Sequence, residues 1–341
     1  MNRTNWQPEF VDGFVTNGCL PMDEQSEEIQ AELAASAVGI DNYLMHYASG
    51  DMPVVKFDDA FEAWLTRRCK VLDILREERL QNLLPWDVLR SLPTARKKSN
   101  RLYFSQGGLP TCMGHADAFG LASSTLSGIA QGLPLVYESF NPIVTWSISK
   151  GGSTRGGQTV TEMAKASNKI GHFPESCVGT NNLNIPDYAR FSGIALQHQA
   201  GIVFLPEENL SKNIARCCRA GLGVACGNST AVYGSTRDSN GVKIAQLGGY
   251  WAHATSFTGY REIKKTEYVF WVNSHGPKFG QSDEGEPADG AWMRVDKELA
   301  VFCSTMLDYG PPYAILPEGV IVRDPSHKPS FVVPFPSNWK G

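Results

Sequence analysis

The chain carries no strong charge of either sign. Its 31 basic and 35 acidic residues leave a formal net charge of −4 over 341 residues, which gives no reason to expect nucleic acid or an anionic membrane as the main partner. It has no apolar run approaching the roughly 18 residues that a membrane span needs. Its opening, MNRTNWQPEFVDGFVTNG, lacks the apolar core of a secretory signal. It has no C-x-x-C pair. None of its eight cysteines (Cys19, Cys69, Cys112, Cys177, Cys217, Cys218, Cys226 and Cys303) stands in a Cys/His cluster with zinc spacing. Reduced thiols are therefore the expectation, with neither metal nor other cofactor. What the chain does have is 33 Gly and 20 Pro, which imply many turns and argue against a long helical bundle. A hydrophobic fraction of 42% is enough for a large core, and the length suits one large domain or two lobes plus extensions.

The stretch at residues 105–124, SQGGLPTCMGHADAFGLASS, organises the rest. It reads as a Gly- and Pro-containing loop that ends at the N-terminus of a buried helix, with Cys112 in the first turn. A thiol there feels the unpaired N–H groups and the positive end of the helix dipole, both of which favour the nucleophilic thiolate. Gln106 lies six residues earlier, where its amide could donate to a developing oxyanion.

Residues 1–22 read as an irregular arm and residues 23–38, acidic early and Ala-rich later, as a helix. Across 58–84, Phe61, Trp64, Leu65, Leu72, Leu75 and Leu80 recur near the 3.6 period, predicting an amphipathic helix ended by Pro85. It is read as packed on the main domain; a propeptide-like cover over a cleft is the other reading. The basic run 95–101 reads as a solvated loop. Residues 133–147 read as an irregular crossing segment, and 151–157 (GGSTRGG) as a flexible loop before a helix over 158–168. Residues 200–205 read as a strand, 209–220 as a helix and 222–226 as a strand. Residues 248–260 alternate as a strand around His253. A hairpin loop over 261–267 leads to a strand and Gly/Pro turn over 268–280, and 290–295 is a closing strand. Cys217 and Cys218 read as buried structural thiols. The tail from Leu307 holds seven prolines and is expected to be an extended, surface-hugging contact arm.

Gln106, Cys112, Gly156–Gly157, His253 and Asn273 stand in one order. His253-Ala254 is followed by Gly259-Tyr260, then by Trp271-Val272-Asn273-Ser274-His275-Gly276, then by Gly290-Ala291-Trp292. This order resembles the papain-like cysteine peptidases. In them a Gln and five residues precede the nucleophilic Cys of a central helix. An H-A…G-Y strand, a hydrophobic strand ending N-S-W-G and a later G-Y/W strand follow. The likeness covers residues 84–302, and LPWDVLR at 84–90 resembles the short Pro…Asp…Arg motif near the start of the family's mature domain. It implies an α+β, papain-like two-lobe fold: a helical lobe with a central Cys-bearing helix, and a β-barrel-like lobe with the His and Asn. Residues 1–83 would be a helical extension, propeptide-like or a packing and assembly region. Residues 84–306 would be the peptidase domain and 307–341 a Pro-rich arm.

The resemblance also implies a cysteine-type peptidase. Cys112 would be the nucleophile, His253 the base and Asn273 the residue that orients it. The Gln106 side chain and the Cys112 N–H would bind the oxyanion, an acyl-enzyme would form, and the Gly156 and Gly157 backbone would pair with substrate. A polypeptide substrate is implied, with no nucleic acid or membrane partner, assembly contacts through 1–83 and 307–341, and a cytoplasmic or virion-associated location.

Several positions depart from the family pattern. Leu109 stands where secreted relatives have a disulfide Cys, in keeping with a reducing compartment. Met113 replaces the Trp after the nucleophile. His115 and Asp117 put polar groups on a helix that is normally apolar; His115 is read as a surface residue, a second base near Cys112 or a packing oddity. His275 replaces the Trp that shields the His–Asn bond, which predicts weaker orientation of the imidazole if water enters. The alternative function is a papain-like module used as a structural or assembly component, such as a phage virion protein. A cell-wall Cys/His amidase is disfavoured because its His follows the Cys far more closely than the 141 residues here.

Overall fold

The computed structural model describes residues 9–11, 14–16, 37–38, 54–79, 83–92, 102–103, 105–131, 135, 137–150, 153, 155–179, 191–276, 282–283 and 285–317. The helix expected over 23–38 lies outside the described residues except at its last two, which are strand. The run 95–101 and the tail beyond Pro317 also lie outside them. Among the described residues, no helix is long and apolar enough to cross a membrane.

The architecture is α+β, with a helical lobe and an antiparallel sheet lobe. At its centre is α3 (Cys112–Ala130), whose residues are all buried. Earlier in the chain come α1 (Asp59–Arg79) and α2 (Pro85–Ser91). The expectation of one helix to residue 84 was too long: Pro85 does not end a helix but opens α2 at a position where its missing N–H costs nothing. The segment expected to be irregular, 133–147, runs into α4 (Pro142–Ser149). Asn141 caps it, its Oδ1 accepting from the Ile143 and Val144 N–H groups at 2.8 and 3.0 Å. Next is α5 (Val160–Lys169), opened by a capping box between Thr159 and Glu162. The short turns α6 (Glu175–Val178) and α7 (Ser192–Ala195) precede α8 (Leu210–Arg219), and α9 (Glu298–Cys303) lies near the end.

The strands are β1 (Glu9–Val11), β2 (Phe14–Thr16), β3 (Ala37–Val38), β4 (Val54–Val55), β5 (Ala200–Phe204), β6 (Gly223–Arg237), β7 (Lys243–Ile263), β8 (Thr266–Val272), β9 (Gly290–Arg294) and β10 (Tyr313–Pro317). The sheet runs β1-β2-β7-β6-β10-β5-β4-β3, with β8 and β9 folded onto β7. The barrel-like lobe is thus corrected to an open sheet. Strand β9 pairs along β8 but meets the start of β7 only at Ile244 opposite Trp292, while the ladder continues outward through β6, β10 and β5. Two more expectations change. Part of the N-terminal arm is the β1–β2 hairpin, joined to β7 at Thr16 opposite Ala252. The stretch read as a surface arm includes β10, a buried strand between β5 and β6.

Alternation along the strands divides the interior into two cores. Ile202, Ala225, Phe270, Val272 and Ile315 face the cluster that holds α3. Their neighbours Val203, Val224, Val269, Trp271 and Ala314 face the cluster built by α1, α8 and α9. Helix α1 therefore packs on the sheet face opposite Cys112. Arg68 Nε donates to the Ala220 carbonyl at 2.7 Å, and Asp73 pairs with Arg219 at 2.6 Å.

Helix α3 comes close to its neighbours because small residues let it. A Cβ on Gly114 would stand 2.1 Å from the Pro142 carbonyl oxygen of α4, and one on Gly223 of β6 would stand 2.3 Å from the Gly120 carbonyl oxygen. Two polar residues of α3, Ser124 and Asp117, find their partners inside the fold. Ser124 Oγ donates to the Ile315 carbonyl at 2.7 Å and accepts from Gly223 N–H at 2.8 Å. Asp117 accepts from Tyr313 Oη at 2.7 Å and meets His172 Nε2 at 2.6 Å. This carboxylate, odd in an apolar helix by sequence, ties α3 to β10 and to the loop before α6.

Candidate active site

Cys112 is the first residue of α3, and Thr111 makes no side-chain cap there. The thiol is fully buried. Burial pushes it up to about 12, against the backbone N–H groups of Ala254, Met113 and Cys112 itself, which pull it down. The expectation of a resting thiolate is corrected. Helix-terminal N–H groups do face the sulfur, but the desolvation of a charge at this depth outweighs them. Because Ala254 is one of those groups, the sulfur lies against β7 at the residue after His253.

His253 and Asn273, at β7 and just past the end of β8, come together. Nε2 of His253 is 2.7 Å from Asn273 Oδ1, and the Ser274 N–H donates to the same Oδ1 at 2.8 Å. A backbone N–H can only donate, so this Asn273 atom is the oxygen. His253 Nε2 must then carry the proton, and Nδ1 holds the basic lone pair. Nδ1 has no hydrogen-bond partner, so Cys112 and His253 are not hydrogen-bonded in this resting arrangement. Burial first, and His275 second, push His253 well below the usual histidine range.

Gln106 is joined to the same turn. Its N–H donates to the Ser274 carbonyl at 2.6 Å, and its Oε1 accepts from Ser274 Oγ at 2.5 Å. Its Nε2 donates to the Leu109 carbonyl at 2.7 Å, which occupies one of its two N–H groups. The Gln106 loop and the end of β8 thus hold one another. Gly156 and Gly157 lie in the loop between α4 and α5. The Gly156 carbonyl accepts from Lys150 Nζ at 2.8 Å, and Lys150 lies 4.3 Å over the Trp146 ring of α4. The loop is therefore tied to the helix that presses on Gly114, two residues beyond Cys112; no contact joins either glycine directly to Cys112 or His253 among the described residues.

Sequence reasoning missed several supports. Trp251 meets the His253 ring edge-on at 4.7 Å, and its Nε1 donates to Asn228 Oδ1 at 2.8 Å, with Asn228 directly opposite His253 in the β6–β7 ladder. A period-2 reading of β7 would have put Trp251 beside His253. Asp289 accepts Asn273 N–H on its carbonyl and Gly276 N–H on its carboxylate, both at 2.8 Å; nothing in the sequence announces it. His275, which stands where entry of water would weaken the orientation of the imidazole, stacks on His253 with centroids 4.3 Å apart and planes 14° apart. His115, read first as a surface residue, is fully buried, its Nδ1 2.9 Å from the Thr111 carbonyl; burial lowers it to about 4. No group of three His, Cys, Asp or Glu could hold a metal ion among the described residues.

No protein-family model matches the chain, and no curated protein does. Solved structures do. Xylellain, a cysteine protease from Xylella fastidiosa, is 14% identical over 63% of this chain and 82% of its own, with a TM-score of 0.44. Digestive procathepsin L 3 of Tenebrio molitor larval midgut is 16% identical over 85% of this chain and 90% of its own, also at 0.44. ProCathepsin B S9 from Trypanosoma congolense is 12% identical over 69% and 76%, at 0.43.

Proposed function

We propose that this chain is a cysteine peptidase that works through Cys112 and His253. The observation that carries the reading is the fixed tautomer of His253: Asn273 Oδ1 holds Nε2–H, and Nδ1 is left as an unpartnered base on the strand that touches the Cys112 sulfur. In this reading Nδ1 takes the thiol proton, giving a thiolate–imidazolium pair. The sulfur adds to an amide carbonyl. The oxyanion is met by the Cys112 N–H and by the second N–H of Gln106 Nε2, whose amide is held in orientation by Ser274 and Leu109. His253 then gives its proton to the leaving amine and afterwards takes one from the water that releases the acyl group. Asn273 keeps the ring aligned throughout.

A polypeptide substrate is favoured by the edge of β7 beside His253. An extended segment of this chain already docks there, with Thr16 opposite Ala252. The buried, protonated Cys112 fits a resting state from which the ion pair forms once substrate supplies the oxyanion. The assembly-component alternative gives no account of a base whose tautomer is fixed by Asn273.

The test is intact mass after an epoxide affinity label for cysteine peptidases. One adduct is expected on the wild type, absent in Cys112→Ala and in His253→Ala, together with hydrolysis of a mixed peptide library. If Cys112 reacts with iodoacetamide no faster than the other cysteines and takes no label, the peptidase reading is wrong.

A further inference from the structure

We propose that His275 is a positioning residue with a switch of its own: neutral, its ring seals the His253–Asn273 bond from water; protonated, it bars His253 from the imidazolium form and turns the site off on the acid side. The inference rests on the peptidase reading above.

The wall is visible in the packing. His275 lies face to face on His253 at 4.3 Å, and Trp251 meets His253 edge-on at 4.7 Å and lies tilted against His275 at 6.3 Å. Trp251 is itself pinned by Asn228. Behind these rings His253 and Asn273 are 0% and 1% exposed. An aromatic face excludes water whatever its identity, so an imidazole can stand here as an indole would.

An imidazole differs in being able to gain a proton. Among the described residues, these titratable groups bear on it. From β7 there is His253, and from α3 there is His115, whose charge it opposes. From its own turn, Asp289 bonds the next residue, Gly276. Of the three histidines, His115 and His253 are buried while His275 is partly exposed, so His275 meets solvent protons first. Two like charges on parallel rings at this distance repel strongly, and in a dry site the repulsion is poorly screened. The pair therefore holds one proton at most through the working range. When that proton sits on His275, His253 cannot accept another from Cys112. Burial already holds His275 down at about 4, so near neutral pH the ring is the wall and not the competitor.

The experiment uses the full chain and two readouts. First, the His253 Nε2–H resonance and the His253 titration midpoint are followed by NMR in Cys112→Ala protein, alone and with His275→Ala or His275→Phe. The downfield Nε2–H signal should persist in His275→Phe, which keeps a ring, and broaden away in His275→Ala. The His253 midpoint should rise by roughly half a unit or more in His275→Phe, where no second proton competes. Second, with Cys112 present, the pH profile of inactivation by the epoxide label is compared. His275→Phe should keep the rate at neutral pH and extend it to lower pH; His275→Ala should slow it about ten-fold. Melting curves and the rest of the spectrum monitor the fold. A persistent Nε2–H signal in His275→Ala overturns the sealing role, and an unchanged midpoint in His275→Phe overturns the switch. If wild type takes no label, the peptidase reading fails, while the NMR result still decides the role of His275.

Discussion

Asp289 is where the site and the stability of the fold meet most directly. Its carboxylate accepts from Gly276 N–H and its carbonyl from Asn273 N–H, so it braces both ends of the turn that carries Asn273, Ser274 and His275. Burial raises it from its ordinary 3.8 to about 7, with the Gly276 bond pulling back, and its Oδ1 is buried without a partner. A carboxyl with a folded-state pKa above its unfolded value binds its proton more tightly in the fold. Its contribution to stability is therefore lost as pH rises through the window between those two values, and is level above about 7. Between about pH 5 and about pH 8 the loss comes to roughly 2.5 kcal/mol. Asp289→Asn keeps an oxygen for Gly276 and removes the titration. It leaves an amide nitrogen where Oδ1 had no partner, a cost that is the same at both pH values and cancels in the difference. Urea denaturation of both proteins at both pH values should show the variant gaining that amount on the wild type at the higher pH. A difference that does not change with pH, within about 0.5 kcal/mol, would refute the account of Asp289 as a buried, strained carboxylate.

Three further outcomes follow from the packing. Asp117→Ala should cost about 3–5 kcal/mol in chemical denaturation, because it leaves His172 and Tyr313 Oη buried without their partner. Gly223→Ala should cost roughly 3 kcal/mol or more, or yield insoluble protein, since its Cβ would meet the backbone of Gly120 with no flexible side chain to give way. Ser274→Ala should slow labelling of Cys112 about ten-fold while costing only about 1 kcal/mol of stability, because the Gln106 N–H keeps its backbone bond when the side-chain amide loses one of its two anchors.

How far the sequence could be read depended on how local each signal was. The Cys112 helix, the strand around His253 and the Asn273 turn announce themselves within a few residues. The same holds for α5, whose Thr159 and Glu162 spell out a capping box. Helix α4 was equally local, with Asn141 before Pro142, but its apolar composition read as an irregular crossing. Other features were out of reach because their partners are distant. Tyr313 and Asp117 are 196 residues apart, and so nothing near the Pro-rich tail shows that it begins with a buried strand. Gly114 is illegible for the same reason: its need for smallness comes from the Pro142 carbonyl. The ionisation of Cys112 failed differently. The helix N-terminus was read correctly, but the depth at which the sulfur sits is a property of everything packed around it, and depth decided the outcome.

Strand β10 also sets an order of events during synthesis. Strands β5 and β6 do not pair with each other; β10 lies between them, and Ser124 and Asp117 of α3 both bond to it. A nascent chain that has emerged only as far as β9 already carries Cys112, His253 and Asn273, yet it has a slot in its sheet, and Ser124 and Asp117 of α3 each lack one of their two partners. The residues that would do chemistry are thus translated well before the piece that locks their scaffold. Assembly of the site waits for the ribosome to deliver Tyr313–Pro317, and a translation product truncated before that strand lacks the framework on which Cys112 is held.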